Sequence, residues 1–217
     1  MKPPPCKSLG IPSLKHAADL LERSGADDGL WGHSVAVASV SVRIAAGLVD
    51  SGAILHMDAV AAGGLLHDIG KGFPGHAQAG ARIMAEEGFP AIAEIIALHS
   101  DFVPAENAPI SEAEVVFLAD KLVRRSRCVS LESRFAEAAT RFAKDPEAQA
   151  GVSRRRLQAL RCRDRMAAVL RTAPEQLASA PSGHPLESQL AEILRGLGKS
   201  PRDSDACWPT HPSTAKL

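Results

Sequence analysis

The chain has 217 residues, of which 45% are hydrophobic, and its 25 basic and 25 acidic residues give a formal net charge of zero. A chain of this length can bury one substantial core, so we expect a single main domain. The absence of Tyr, the aromatic content of only 4% and the lack of a recognised nucleic-acid-binding module argue against a nucleic-acid partner.

The charge is unevenly distributed along the chain. Residues 1–120 carry 7 basic and 15 acidic residues, whereas residues 121–171 carry 14 basic and 5 acidic residues. An anionic ligand would favour the second region. The sequence therefore predicts a small phosphorylated molecule as the partner, and the oligomeric state is left open.

The N-terminal segment, residues 1–12, has no helical period and is predicted to be disordered. Its Lys and Pro residues do not form the apolar core of a signal peptide, and the later apolar stretches are interrupted before about 18 residues. The four widely spaced cysteines form no CxxC pair, which predicts reduced thiols. We therefore expect a cytoplasmic protein with no membrane partner.

Nearly every regular segment has the helical period, and no run alternates at strand length, so the sequence predicts an all-α protein. Residues 13–175 should form a compact helical bundle with a C-terminal extension, and residues 176–217 a weak helix followed by a disordered tail. The predicted helices cover 13–24, 31–50, 56–68, 76–87, 90–99, 111–127, 132–144, 152–171 and, more weakly, 186–197.

Two features mark where these helices begin and end. Asp27 or Asp28 is predicted to cap the second helix, and Ser111 opens a capping box for the sixth. The segment 100–109 contains two prolines and no period, which predicts a loop that could act as a lid. Within it, Phe102 is a candidate substrate-binding residue, or alternatively anchors the loop to the core.

Six potential metal ligands are predicted to point inward. The pair His67-Asp68 follows the apolar run 59–66, and an ionised carboxylate in a buried helix would cost several kcal/mol unless it were paired or coordinated. Spacings of three and four residues place the others in line with apolar neighbours. Together they could build a two-metal site from His33, His67, Asp68, His76, His99 and Asp120.

Two basic residues next to these ligands are candidates for phosphate binding. Lys71 follows Asp68 by three residues and could take a catalytic or substrate-binding role, or else be a solvated lysine at a helix end. Arg124 is predicted one helical turn beyond Asp120, where it could hold a phosphate oxygen. Its alternative is a simple ion pair with Asp120.

The order of these residues resembles the HD-domain superfamily of metal-dependent phosphohydrolases, in its HDIG subgroup. The resemblance extends over about residues 28–125 and is carried by the phrases WGHS (31–34), LLHDIGKG (65–72) and HAQAGARIM (76–84). It implies an HD-domain helical bundle with a first metal held by His33, His67, Asp68 and Asp120. His76 and His99 resemble the ligands of a second metal, with Asp68 bridging. Ser100 departs from the tandem His pair of the cyclic-di-GMP phosphodiesterase branch.

The predicted function is a metal-dependent, binuclear phosphohydrolase that acts on a nucleotide or another small phosphoester. The ligands suit two divalent transition-metal ions, chosen from Fe, Mn, Zn, Co or Ni. Two alternatives stay open: a diiron HD-type oxygenase with a similar ligand pattern, and a regulatory nucleotide-binding HD domain linked to a nucleotidyltransferase of molybdenum-cofactor assembly. The latter rests on a faint likeness of residues 120–135.

Overall fold

The computed structural model of the protein describes residues 10–105, 107–180 and 182–199. Within these ranges the chain forms ten helices and one short hairpin, which confirms the predicted all-α class. Most of the predicted disordered N-terminus and tail lies outside the described residues. The elements are α1 Leu14–Arg23, α2 Asp28–Asp50, α3 Met57–Leu66, α4 His76–Glu86, α5 Pro90–Leu98, α6 Glu112–Leu122, β1 Val123–Arg124, β2 Arg127–Cys128, α7 Leu131–Arg141, α8 Pro146–Leu170, α9 Pro174–Ala178 and α10 Pro185–Gly196.

Helix α2 forms the centre of the core, where it packs against α3, α6 and α9. Asp27 caps its N-terminus, as predicted, because its Oδ1 atom accepts a hydrogen bond of 2.7 Å from the amide of Leu30. Gly64 lets α3 approach α2 closely, since a Cβ atom added there would lie 2.8 Å from the Cα atom of Ala38. The small residues Gly64 and Ala38 therefore allow α3 to pack directly on the backbone of α2.

Two observations bear on the expected location of the protein. Helix α2 is long and apolar enough to cross a membrane by length and composition, contrary to the expectation from the sequence. However, 72% of its apolar window is buried inside the protein, and the core helix of a soluble protein passes the same test.

Cys162 is a free buried thiol, but Cys128 is disulfide-bonded, so the prediction of reduced thiols is wrong at Cys128. The cytoplasmic location stays a prediction.

Helix α6 is shorter than its predicted range and ends at Leu122. The chain then becomes extended, and β1 and β2 pair in an antiparallel hairpin whose turn places Arg125 in the left-handed region at φ 56°. Strands of two residues are too short to produce a detectable alternation in the sequence. The prediction that Arg124 lies one helical turn beyond Asp120 is therefore wrong.

The C-terminal half differs from the prediction at two further places. Helix α8 begins at Pro146, earlier than predicted, because the Asp145 side chain accepts a hydrogen bond of 3.0 Å from the amide of Ala148. The five-residue helix α9 was not predicted, since one turn is too short to show a period. The weak helix predicted near residues 186–197 is present as α10.

A buried ion pair connects α9 and α10 to α2. The Nε atom of Arg43 donates to Oε1 of Glu187 at 2.8 Å, and both side chains are at most 2% exposed. The Nη1 atom of Arg43 also donates to the carbonyl of Ala178 at 2.9 Å, and the second oxygen of Glu187 accepts from the amide and hydroxyl of Ser182. Helices α9 and α10 thus share the core of α2, while the domain limit near residue 175 stays a prediction.

Candidate metal centre

Three of the six predicted ligands are imidazoles whose orientation is fixed by backbone carbonyls. His33 lies in the first part of α2, while His67 and His99 directly follow α3 and α5. Their Nδ1 atoms donate to the carbonyls of Arg125, Gly64 and Ile96 at 2.9, 2.8 and 2.6 Å, respectively. In the neutral form of each ring, the Nε2 lone pair then points to the common space. Such outer contacts orient histidines that bind metals.

The structure brings four residues together as a first donor group. The Nε2 atoms of His33 and His67 are 3.3 Å apart. Oδ1 of Asp120 lies 3.1 Å from the first of these nitrogen atoms and 3.7 Å from the second. Oδ2 of Asp68 lies 3.7 Å from Nε2 of His67 and 4.0 Å from that of His33.

A second donor group lies on the other side of Asp68. The Nε2 atoms of His76 and His99 are 3.2 Å apart, and each lies 3.5 Å from Oδ1 of Asp68. The hydroxyl of Ser100 lies 3.2 Å from both nitrogen atoms. The two carboxylate oxygens of Asp68 thus face different groups of imidazoles, which is the arrangement expected of a bridging ligand.

The donor atoms of both groups fit divalent metal ions. Nitrogen and oxygen ligands bind zinc at about 2.0–2.2 Å, which places two ligands of one ion roughly 3.0–3.6 Å apart. The measured separations, from 3.1 to 4.0 Å, are close to this range. Lone pairs that converge at such distances in a buried space repel one another unless a cation lies between them. The described residues that could hold an ion fall into sets around His33-His67-Asp68 and Asp68-His76-His99.

The electrostatic environment keeps His67, Asp68 and Asp120 in their metal-binding forms. Burial lowers the pKa of His67 to about 4, so its ring is neutral at neutral pH. Burial alone would raise the pKa of Asp68, but the adjacent His99 and His67 hold it well below its ordinary value. Likewise, Lys121 and His33 outweigh burial and lower the pKa of Asp120. The centre therefore combines a neutral imidazole at His67 with ionised carboxylates at Asp68 and Asp120.

Lys121 is a residue of the centre that sequence reasoning missed. Its side chain is buried, and its Nζ atom donates to Oδ2 of Asp120 at 2.6 Å and to the carbonyl of His99 at 2.9 Å. It also lies 4.7 Å from the centre of the Phe117 ring. Lys121 thus connects Asp120 of the first donor group, on α6, to the backbone at His99 of the second donor group, at the end of α5. The sequence contains one indication of this role, the position of Lys121 directly after the candidate ligand Asp120. That position alone does not tell whether the lysine side chain is buried or solvated.

The three predicted substrate-binding residues lie in different environments. The Nζ atom of Lys71 lies 2.5 Å from Oδ2 of Asp68, and its side chain is 58% exposed. Arg124 borders a cavity that is also lined by Lys71 and by the candidate ligands His33 and Asp68, but its guanidinium is paired with Glu137 rather than with Asp120. Phe102 is buried and packs on Phe117 with ring centroids 5.8 Å apart. Because Phe102 anchors its loop to the core, it does not fit the predicted substrate-binding role.

A glycine within the HDIG segment determines how closely α4 approaches the centre. A Cβ atom added at Gly70 would collide with the carbonyl oxygen of His76 and would lie 2.5 Å from the amide nitrogen of Gly80. Both are backbone atoms, which cannot rotate away. Gly70 therefore allows His76 to reach the second donor group.

We expect Gly70→Ala to displace α4, destabilise the protein by about 1–3 kcal/mol as overpacking does, and weaken the second metal site more than the first. Urea unfolding and metal analysis would measure the two effects. Gly196→Ala is the control, because an added Cβ atom there meets nothing within 4 Å. Full retention of the second metal in Gly70→Ala would contradict this role.

Both donor groups open into one cavity of about 1280 Å³. His33, Asp68, His76 and His99 line one end of it. The hairpin and the cavity-facing sides of α7 and α8 also line it, together with residues 25 and 27–32 before and at the start of α2, residues 71–72 and residues 198–199. The cavity exceeds the range of about 300–1,000 Å³ that is common for small-molecule sites, so it has room for a substrate much larger than a phosphate ion.

Comparison with known proteins gives one result for this region. Residues 30–125 match the family model of the HD domain, and all six candidate ligands lie within the matched segment. No curated protein matches the chain significantly, and no solved structure does so either.

Proposed function

Because residues 30–125 belong to the HD domain family, which generally comprises metal-dependent hydrolases, we propose that the protein is a binuclear phosphohydrolase that acts on a nucleotide or another small phosphoester. The position of Asp68 carries this proposal. Its two oxygens face separate imidazole pairs, at 3.5 Å on one side and at 3.7 and 4.0 Å on the other. A mononuclear site has no need of the second pair.

In this proposal each donor group holds one divalent ion, and Fe, Mn, Zn, Co and Ni all suit imidazole and carboxylate ligands. When bound, the ions supply an activated water molecule and neutralise the charge of the phosphoryl group during in-line attack. The protein contributes the orientation of the ligands. The backbone carbonyls that hold His33, His67 and His99 fix the metal-binding nitrogen atom of each ring.

The proposed phosphate contacts are Lys71 and Arg124. Lys71 has a flexible and half-exposed side chain beside Asp68, so its ammonium can reach a phosphoryl oxygen or the leaving oxygen. Arg124 lines the cavity, and its partner Glu137 is 46% exposed. Exposed ion pairs contribute about 0–1 kcal/mol, so a phosphate group can replace Glu137 at this guanidinium.

We expect Lys71→Ala to lower kcat/KM for the best phosphoester by about ten- to hundredfold, the equivalent of one lost charge-assisted hydrogen bond of 1.5–3 kcal/mol. Its metal content should remain near that of the wild type, because the ligands are intact. Steady-state kinetics and metal analysis of the same preparations test this, with the exposed Lys15→Ala as the control. Parallel loss of metal and activity would show that Lys71 supports Asp68 rather than the substrate.

The function itself is tested by a phosphatase screen under anaerobic conditions. We expect hydrolysis of p-nitrophenyl phosphate or a nucleotide that disappears with a chelator and returns when Mn²⁺ or another transition metal is added. Turnover that requires oxygen would instead favour the diiron oxygenase. Metal-loaded protein that binds nucleotides without hydrolysing any of them would favour the regulatory domain.

A further inference from the structure

The cavity continues from the metal centre to a basic wall. Arg134 and Arg141 lie on α7 and Arg155 lies on α8, and all three line the same cavity as the donor groups. We call these three residues the distal arginine wall. The wall belongs to the region of the chain with the largest excess of positive charge.

A chain of contacts connects the wall to the metal centre. The carbonyl of Arg125 in the hairpin accepts the hydrogen bond of His33, and the neighbouring Arg124 pairs with Glu137 on α7. Arg134 and Arg141 flank Glu137 along that helix at a separation of seven residues, so they share one face. The hairpin thus joins the end of the cavity that contains the two donor groups to the arginine-bearing face of α7.

The remaining part of the wall lies beside the loop that follows His99. In that loop Asp101 is bonded to Arg154 at 2.9 Å and to Gln158 at 2.7 Å. Arg155 is next to this ion pair and faces the cavity. It also borders a small surface cleft that contains Glu147 of α8 and the N-cap residue Asp145, but it forms no ion pair there within 4 Å among the described residues.

The three guanidinium groups of the wall form no ion pair within 4 Å among the described residues, although Asp101 acts on Arg155 at longer range. Other arginines close to them, Arg124 and Arg154, each form an ion pair. Arg141 instead lies 5.4 Å from the centre of the Phe142 ring, a contact that orients its side chain without neutralising it. Like charges that share one cavity repel one another, and an anionic ligand would remove this repulsion.

Building on the proposed function, we propose that the distal arginine wall binds a second phosphate group of the substrate while the first is held at the metal centre. The substrate class is therefore a small molecule with two phosphate groups at separate positions, rather than a simple phosphomonoester. Arginine suits this role because its planar donors match phosphate oxygens in pairs. The size of the cavity accommodates such an extended molecule.

Calorimetric binding of adenosine 3′,5′-bisphosphate and of AMP to the metal-loaded full chain tests this proposal. We expect the wild type to bind the bisphosphate at least about tenfold more tightly than AMP, because each charge-assisted hydrogen bond is worth about 1.5–3 kcal/mol. The triple variant Arg134→Gln/Arg141→Gln/Arg155→Gln should lose this preference and bind AMP as the wild type does. Arg156→Gln, an exposed neighbour that does not line the cavity, should keep it.

Equal affinities of the wild type for the two nucleotides, or an unchanged preference in the triple variant, would overturn the proposal. Should the triple variant fail to fold, the single variants Arg134→Gln and Arg141→Gln must each reduce the preference measurably. Hydrolysis of p-nitrophenyl phosphate is recorded in parallel, because this probe has only one phosphate group. Its absence in the wild type would count against the proposed function, whereas the bisphosphate preference tests the wall alone.

Discussion

Replacing Asp68 with alanine should remove both metal ions and abolish phosphoester hydrolysis. The variant loses the carboxylate that faces both donor groups, and among the described residues it leaves Asp120 as the one carboxylate beside the four imidazoles. Because bound metal stabilises only the folded state, the midpoint of thermal unfolding should fall as well. Metal analysis per chain, activity and a thermal scan of one preparation measure the three effects.

Asp58→Ala is the matched control, since Asp58 is an exposed aspartate on the helix that leads to Asp68. We expect this control to keep its metal and its activity. A folded Asp68→Ala protein that still holds two ions would show that the carboxylate is not a bridging ligand. Retention of one ion would restrict Asp68 to a single donor group.

The second large effect concerns stability rather than chemistry. Glu187→Gln should destabilise the protein by about 3–5 kcal/mol, because it removes the carboxylate that is paired with the buried guanidinium of Arg43. The two side chains are 2% and 1% exposed, respectively, so water cannot replace the lost partner. Urea unfolding would give the difference in the free energy of unfolding.

The exposed Glu192→Gln on the same helix is the control and should stay within about 1 kcal/mol of the wild type. Replacing both partners, as in Arg43→Met/Glu187→Leu, should restore much of the loss, because no unpaired charge remains. A loss below about 1 kcal/mol in Glu187→Gln would mean that the pair does not anchor α10.

The sequence was sufficient for the parts of the fold that depend on a repeated local pattern. Apolar residues at three- and four-residue spacings predicted the helices and the inward direction of His33 and His99, and the structure has these rings half-buried and buried, respectively. The cap at Asp27 was also predictable, because an N-cap involves only neighbouring residues.

The features that were missed depend on residues far apart in the sequence. Arg43 and Glu187 form an ion pair although they are 144 residues apart in the sequence. The residues around each of them give no indication of a buried partner. Lys121 lies next to Asp120 in sequence, but its second contact is with the carbonyl of His99, which only the packing of α5 on α6 creates. The short hairpin places Arg124 in β1 rather than on α6, and its strands of two residues are too short to be recognised from the sequence.

The most direct test of the binuclear centre is the number of metal ions bound per chain in the wild type and in His76→Ala. The side chain of His76 is 42% exposed and lies at the rim of the second donor group, so its removal should leave the fold intact. We expect close to two transition-metal ions in protein purified without a chelator and close to one in the variant. A fully loaded wild type with a single ion, unchanged by His76→Ala, would contradict the binuclear centre.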